Sequence, residues 1–203
     1  MPLRVLGIDP GLTRCGVGVV EVDAQRRATL VAVTVVRSGV DEPLEQRLMT
    51  IGRGIEALVD EHRPDAMAIE RVFAQDNLRT VMGTAQVSGL ALRAAAERSI
   101  PVALHTPSEV KAAVTGYGSA DKAQVAAMVA RLLGLAEPPR PADAADALAI
   151  AICHAWRRDG RTTTVPSGSS SASGGTGTAA GLTPAQRAWR DAEKRQRAPR
   201  LGA

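Results

Sequence analysis

The sequence predicts an α/β fold, a mixed five-stranded sheet flanked by helices, and three observations carry that prediction. Three strand-like runs succeed one another within the first 36 residues, separated only by short turns. Beyond them, helical periodicity alternates with short apolar runs. Two of the apolar runs, Val5-Leu6-Gly7-Ile8 and Ala66-Met67-Ala68-Ile69, close on an acid, Asp9 and Glu70. An acid ending a buried strand does not serve packing, because an unpaired buried charge is costly.

Residues 3–9 read as a buried strand, residues 10–14 as a Pro-Gly turn and residues 16–22 as the second strand. Residues 28–36, rich in β-branched side chains, read as the third. Connections this short favour an antiparallel meander, since parallel strands need long crossovers. Pro43 opens a helix in which Leu44, Leu48, Ile51, Ile55, Leu58 and His62 recur at steps of three and four, and Pro64-Asp65 ends it. Residues 66–70 form the fourth strand, residues 77–98 a second helix and residues 101–104 a short fifth strand. Two further helices follow, one capped by Ser119 or Asp121, the other begun by Pro141-Ala142-Asp143 and reaching Cys153. The order βββαβαβα, antiparallel strands first and parallel strands after, is that of the ribonuclease H-like fold.

Past Arg161 the composition changes. Residues 162–181 are mostly Ser, Gly, Thr and Ala, a flexible linker, and residues 183–197 have the pattern of a basic helix. The expected organisation is a ribonuclease H-like domain over 1–158 and a linker with a basic C-terminal tail over 159–203. Residues 157–203 hold nine Lys/Arg against three acids, a net of +6, which leaves −2 of the chain's +4 for residues 1–156. The high pI therefore belongs to the tail and supports a polyanionic partner only weakly. No apolar stretch is long enough to span a bilayer, so no membrane association is expected. The N-terminus lacks the pattern of a signal peptide, and Cys15 and Cys153 are expected as buried thiols. A cytoplasmic location is the expectation.

Asp143 and Asp146 add a second pair of acids, three apart at the start of the Ala-rich last helix and hence on one face. Acids there also suit the helix dipole, an ordinary surface arrangement. Together with Asp9 and Glu70, however, they form a set of hard oxygen donors that calls for a divalent cation. Magnesium held by carboxylates is a common device for cutting phosphodiesters. The turn Gly7-Ile8-Asp9-Pro10-Gly11 also resembles the phosphate-binding turn of actin-like ATPases and sugar kinases. Those enzymes enclose a nucleotide between two such domains, and 203 residues are too few for both.

Three further side chains qualify as a nucleic-acid surface. Phe73 is the only Phe of the chain and sits in a loop pattern just after Glu70, where a ring can stack on bases. Lys111 and Lys122 are the only lysines before the tail, and Lys122 follows the Gly-rich stretch Gly116-Tyr117-Gly118-Ser119 at a helix start, a good phosphate cradle. Each also has an ordinary reading, Phe73 as core and the lysines as solvated surface. His62, His105 and His154 show no metal-ligand spacing and read as structural.

In order, Gly7-Ile8-Asp9-Pro10-Gly11, Glu70-Arg71-Val72-Phe73, Gly118-Ser119-Ala120-Asp121-Lys122 and Ala142-Asp143-Ala144-Ala145-Asp146-Ala147-Leu148-Ala149 resemble the RuvC family of Holliday-junction endodeoxyribonucleases. The resemblance covers residues 3 to about 156 and leaves the tail aside. It implies that Asp9, Glu70, Asp143 and Asp146 are catalytic and hold Mg2+, two ions per site, with Mn2+ as an alternative. It implies that Phe73 engages bases near the crossover and that Lys111 and Lys122 contact phosphates. It also implies a homodimer that makes paired nicks in strands of like polarity on four-way junction DNA, working with the RuvA–RuvB branch-migration complex. A two-fold junction suits a symmetric dimer, and the helix over 77–98, with Val81, Ala85, Ser88, Leu92 and Ala96 on one face, is the candidate contact. A core face is its alternative.

Overall fold

The structure, a computed structural model, describes residues 1–71 and 78–157. Phe73 and the expected linker and tail lie outside the described residues. The elements run β1 (Leu3–Asp9), β2 (Arg14–Val22), β3 (Ala28–Arg37), α1 (Leu44–His62), β4 (Ala66–Glu70), α2 (Leu78–Glu97), β5 (Val102–His105), α3 (Pro107–Thr115), α4 (Lys122–Leu132) and α5 (Ala142–Arg157). The five strands form one sheet in the order β3-β2-β1-β4-β5. β1, β2 and β3 pair antiparallel, whereas β4 and β5 join parallel to β1, as the short and long connections require.

Two cores lie on the two faces. Leu6, Ile8, Val17, Val19, Met67 and Ile69 pack against Ile51 and Ile55 of α1 and Val87 and Ala91 of α2. Val5, Val20, Val22 and Ala68 pack against Val110, Val129, Leu148 and Ile152 of α3, α4 and α5. With so few aromatics, aliphatic side chains fill both. Of the apolar steps expected for α1, Ile51 and Ile55 are buried and Leu48 and Leu58 pack partly buried against the same core, whereas Leu44 is exposed and Val59, outside the expected set, completes the buried stripe.

The structure corrects the predicted elements at two places and decides between the two caps offered for α4. β2 begins at Arg14 rather than 16, and of Ser119 and Asp121 it is Asp121 that caps α4, its carboxylate accepting from the Gln124 amide at 2.8 Å. α3 has no counterpart among the predicted elements. It is nine residues long, opened by a Thr106–Glu109 capping box and closed by Gly116 in the left-handed region (φ 89°).

α5 lies directly on β1 and β2 because two glycines let it. A Cβ on Gly16 would collide with the Asp143 carbonyl oxygen, and one on Gly7 with that of Ala147. The far end of α5 is tied to the β2–β3 hairpin. Trp156 Nε1 donates to the Arg26 carbonyl at 3.0 Å, Arg26 Nη2 donates to the Trp156 carbonyl at 3.3 Å, and the guanidinium lies 5.5 Å from the indole centroid. Among the described residues no helix is long and apolar enough to cross a membrane.

Candidate active site

Strand alternation places Asp9 and Glu70 on the face that α5 covers, since Val5, Gly7 and Ala68 point the same way. Ile8 pairs with Ile69, so Asp9 and Glu70 end adjacent parallel strands side by side. Asp9 in turn stands opposite Gly16, and Gly16 is the residue on which the Asp143 backbone rests. Asp146 follows one helical turn later. Three separate stretches of chain thus deliver the four predicted acids to one end of the sheet.

Their electrostatics show that they face one another. Burial, then the charges of Glu70, Asp146 and Asp143, pushes the Asp9 carboxyl up to about 7. Burial and the Asp146 charge also raise Glu70. Glu70 forms no ion pair with Arg71 among the described residues. Two cations answer the acids instead. Lys122 Nζ donates to Asp146 Oδ2 at 3.0 Å, and this bond raises the lysine above its ordinary range. Arg14 Nε lies 3.1 Å from Asp143 Oδ2 but off the hydrogen-bonding direction, so this buried oxygen accepts no hydrogen bond.

A cleft opens beside the acids, walled by Glu70, Asp146, Lys111, Lys122, Val110 and Val125. The structure therefore brings both predicted lysines to the predicted acids, Lys122 at the start of α4 and Lys111 on α3, where Glu70 feels its charge. The residues fit a hard divalent cation. All four donors are carboxylates, burial and then the neighbouring acids push the Asp9 carboxyl up to about 7, and Asp143 Oδ2 is a buried oxygen without a hydrogen bond. Among the described residues no three acids, histidines or cysteines close up as a finished metal cage, and Lys122 and Arg14 pair with two of the acids.

Sequence reasoning missed two features here. Arg14 read as part of a turn, and nothing in its spacing links it to Asp143. Buried His105 and partly buried His154 meet Nε2 to Nδ1 at 3.1 Å, and His105 stands opposite Glu70 in the β4–β5 register. Burial, then the neighbouring His154, pushes His105 down to about 4, so it is neutral near pH 7.

Comparisons with known proteins identify the family. The family model described as crossover junction endodeoxyribonuclease RuvC matches residues 5–154. A curated RuvC of Leifsonia xyli subsp. xyli is 68% identical over 195 residues, covering 96% of this chain and 93% of that protein. A RuvC of Clavibacter sepedonicus is 61% identical over 204 residues, covering 98% and 100%. Among solved structures, T. thermophilus RuvC in complex with Holliday junction substrate superposes with a TM-score of 0.72 at 40% identity, over 76% of this chain and 93% of that one. The yeast mitochondrial Holliday junction resolvase, at 15% identity and a TM-score of 0.54, covering 75% and 79%, shares the fold. On these matches the chain belongs to the RuvC family of crossover junction endodeoxyribonucleases.

Proposed function

We propose that this chain resolves Holliday junctions during DNA recombination and repair by paired, symmetric, metal-dependent nicks in strands of like polarity. The observation that carries the reading is the convergence of Asp9, Glu70, Asp143 and Asp146 beside a lysine-walled cleft. The complex of T. thermophilus RuvC with Holliday junction substrate supplies the substrate class by relationship. Mg2+, two ions per site with Mn2+ as an alternative, would activate water and stabilise the leaving oxygen. Asp9, Glu70, Asp143 and Asp146 would hold those ions. Lys122 and Lys111 bind phosphates along the cleft wall, and charge-assisted contacts there orient the strand over the acids. Phe73, which follows Glu70 by three residues, engages bases near the crossover.

The working unit in this reading is a homodimer, which offers one site to each of two symmetric strands. Support comes from α2: Val87, Ala91, Ala94 and Ala95 face the core, while Met82, Ala85, Leu92 and Ala96 are exposed. The expected face over Val81, Ala85, Ser88, Leu92 and Ala96 is therefore not the core face, and it suits a second copy of the chain. RuvA–RuvB is the expected partner complex, and the cytoplasm the expected compartment.

The test is cleavage of a synthetic four-way junction by the purified chain, with Mg2+ and with chelator. The reading expects paired nicks at symmetric positions with Mg2+ and intact junction with chelator. Tight junction binding without nicking in Mg2+ or Mn2+ would show an idle junction-binding scaffold instead.

A further inference from the structure

We propose that Arg14 and Arg37 form a second phosphate-contacting site for the substrate strand, on the side of the acids away from Lys111 and Lys122. The inference rests on the junction-nuclease reading and adds to it residues that the four acids and two lysines do not include. The β2–β3 register pairs Arg14 with Arg37 directly. Both share the sheet face of Gly16 and Val33, which is the face α5 covers, and stand two residues beyond the Gly16–Val35 pair along the strands. Gly16 lies between Asp9 and the Asp143 backbone, so the arginine pair borders the acids on the β2–β3 side. The lysines border them on the β4–β5 side. Cation, acid and cation thus follow one another across this end of the sheet.

Like charges placed directly opposite on paired strands are destabilising, so the pair needs a reason to exist. Asp143 answers only Arg14, whose side chain stays 53% exposed. Arg37 is exposed and makes no hydrogen bond or ion pair among the described residues. The acids of the following turn, Asp41 and Glu42, do not neutralise it. A pair of guanidinium groups rooted on strands about 5 Å apart suits phosphate oxygens, which arginine binds through two parallel N–H donors. A strand lying over the acids would then be gripped on both sides of the scissile phosphate, with the cutting position fixed between the two grips.

The experiment compares the unaltered full chain with Arg37→Gln and Arg37→Lys, following binding of a labelled four-way junction by anisotropy across a salt series in chelator. Thermal melting runs in parallel. Arg37→Gln should weaken binding roughly 3- to 10-fold at moderate salt and lower the salt slope by about one. Arg37→Lys should keep most of the affinity. The melting midpoint of Arg37→Gln should be unchanged or higher, because the cross-strand repulsion is relieved. Unchanged affinity and slope in Arg37→Gln, while the unaltered chain binds the junction, overturns the arginine site alone. Lost affinity accompanied by a lower melting midpoint also overturns it, as that marks a structural role. Failure of the unaltered chain to bind the junction overturns the junction reading, and this site with it.

Discussion

Lys122 Nζ donates a hydrogen bond to Asp146 Oδ2 at 3.0 Å, joining the first residue of α4 to the first turns of α5. The lysine side chain is 78% exposed and the aspartate 20% exposed, so the pair adds little stability. Its effect is on charge. It keeps a firmly cationic group at the mouth of a cleft whose floor is anionic.

Asp146→Asn should abolish cutting while leaving junction binding within a few-fold of the unaltered chain. Outer-shell partners of a bound metal are each worth about 10–100-fold, so loss of a ligand itself should cost at least about 100-fold. Single-turnover cleavage and anisotropy on the same preparation check both halves. Cutting at the ordinary rate in the variant would remove Asp146 from the metal set.

Gly16→Ala should destabilise the fold by about 1–3 kcal/mol, because its methyl group meets the Asp143 backbone rather than a yielding side chain. The helix must shift to make room, carrying Asp143 and Asp146 out of register with Asp9. Cleavage should fall further than the loss of folded protein explains. Urea unfolding and the cleavage rate per folded molecule give the two numbers.

Buried His105 gives a pH prediction with a definite sign. His105 is held down to about 4 from an ordinary 6.5, so the unfolded chain binds more protons between those values. The stability it contributes is present above pH 6.5 and is lost as pH falls toward 4. Asp9 runs the other way: its carboxyl is held up to about 7, so its contribution is present below 3.8 and is lost as pH rises through 7. A difference measurement separates them. His105→Gln should flatten the acid-side loss, the gap to the unaltered chain changing by on the order of 2 kcal/mol between pH 7 and pH 4. Parallel stability curves for the two proteins would show that the His105 proton is not involved.

Leu92→Asp, on the exposed side of α2, should leave the melting midpoint within a few degrees and shift the chain toward monomer in sedimentation velocity. Junction cutting should then lose its pairing, giving single nicks. A variant that remains dimeric and still makes paired nicks would place the dimer contact elsewhere.

Much of this site was legible from strand ends. An acid that stops an apolar run sits where a strand leaves the sheet, and Asp9 and Glu70 end adjacent strands side by side. Asp143 and Asp146 were legible from helical spacing. α3 was missed because nine residues between Pro107 and Gly116 carry too little periodicity, although Thr106-Pro107-Ser108-Glu109 holds a capping box. The Arg14–Arg37 pairing depends on strand register, and the His105–His154 contact joins residues 49 apart in sequence. Neither leaves a local mark in the chain, because each arises only when separate elements are brought together. The Phe73 expectation lies outside the described residues.

The clasp between Trp156 and Arg26 has a meaning for the far end of the same helix. α5 spans about 24 Å, with the two acids at its start and Trp156 near its close. At the start its backbone rests on Gly16 of β2, and near the close it is latched to the tip of the hairpin that β2 makes with β3. A rod pinned twice to one ribbon cannot slide along it. A slip of a single turn would carry the carboxylates about 5.4 Å along the sheet, away from Asp9. The indole thus works as a vernier, setting from a distance the position at which the acids meet Asp9.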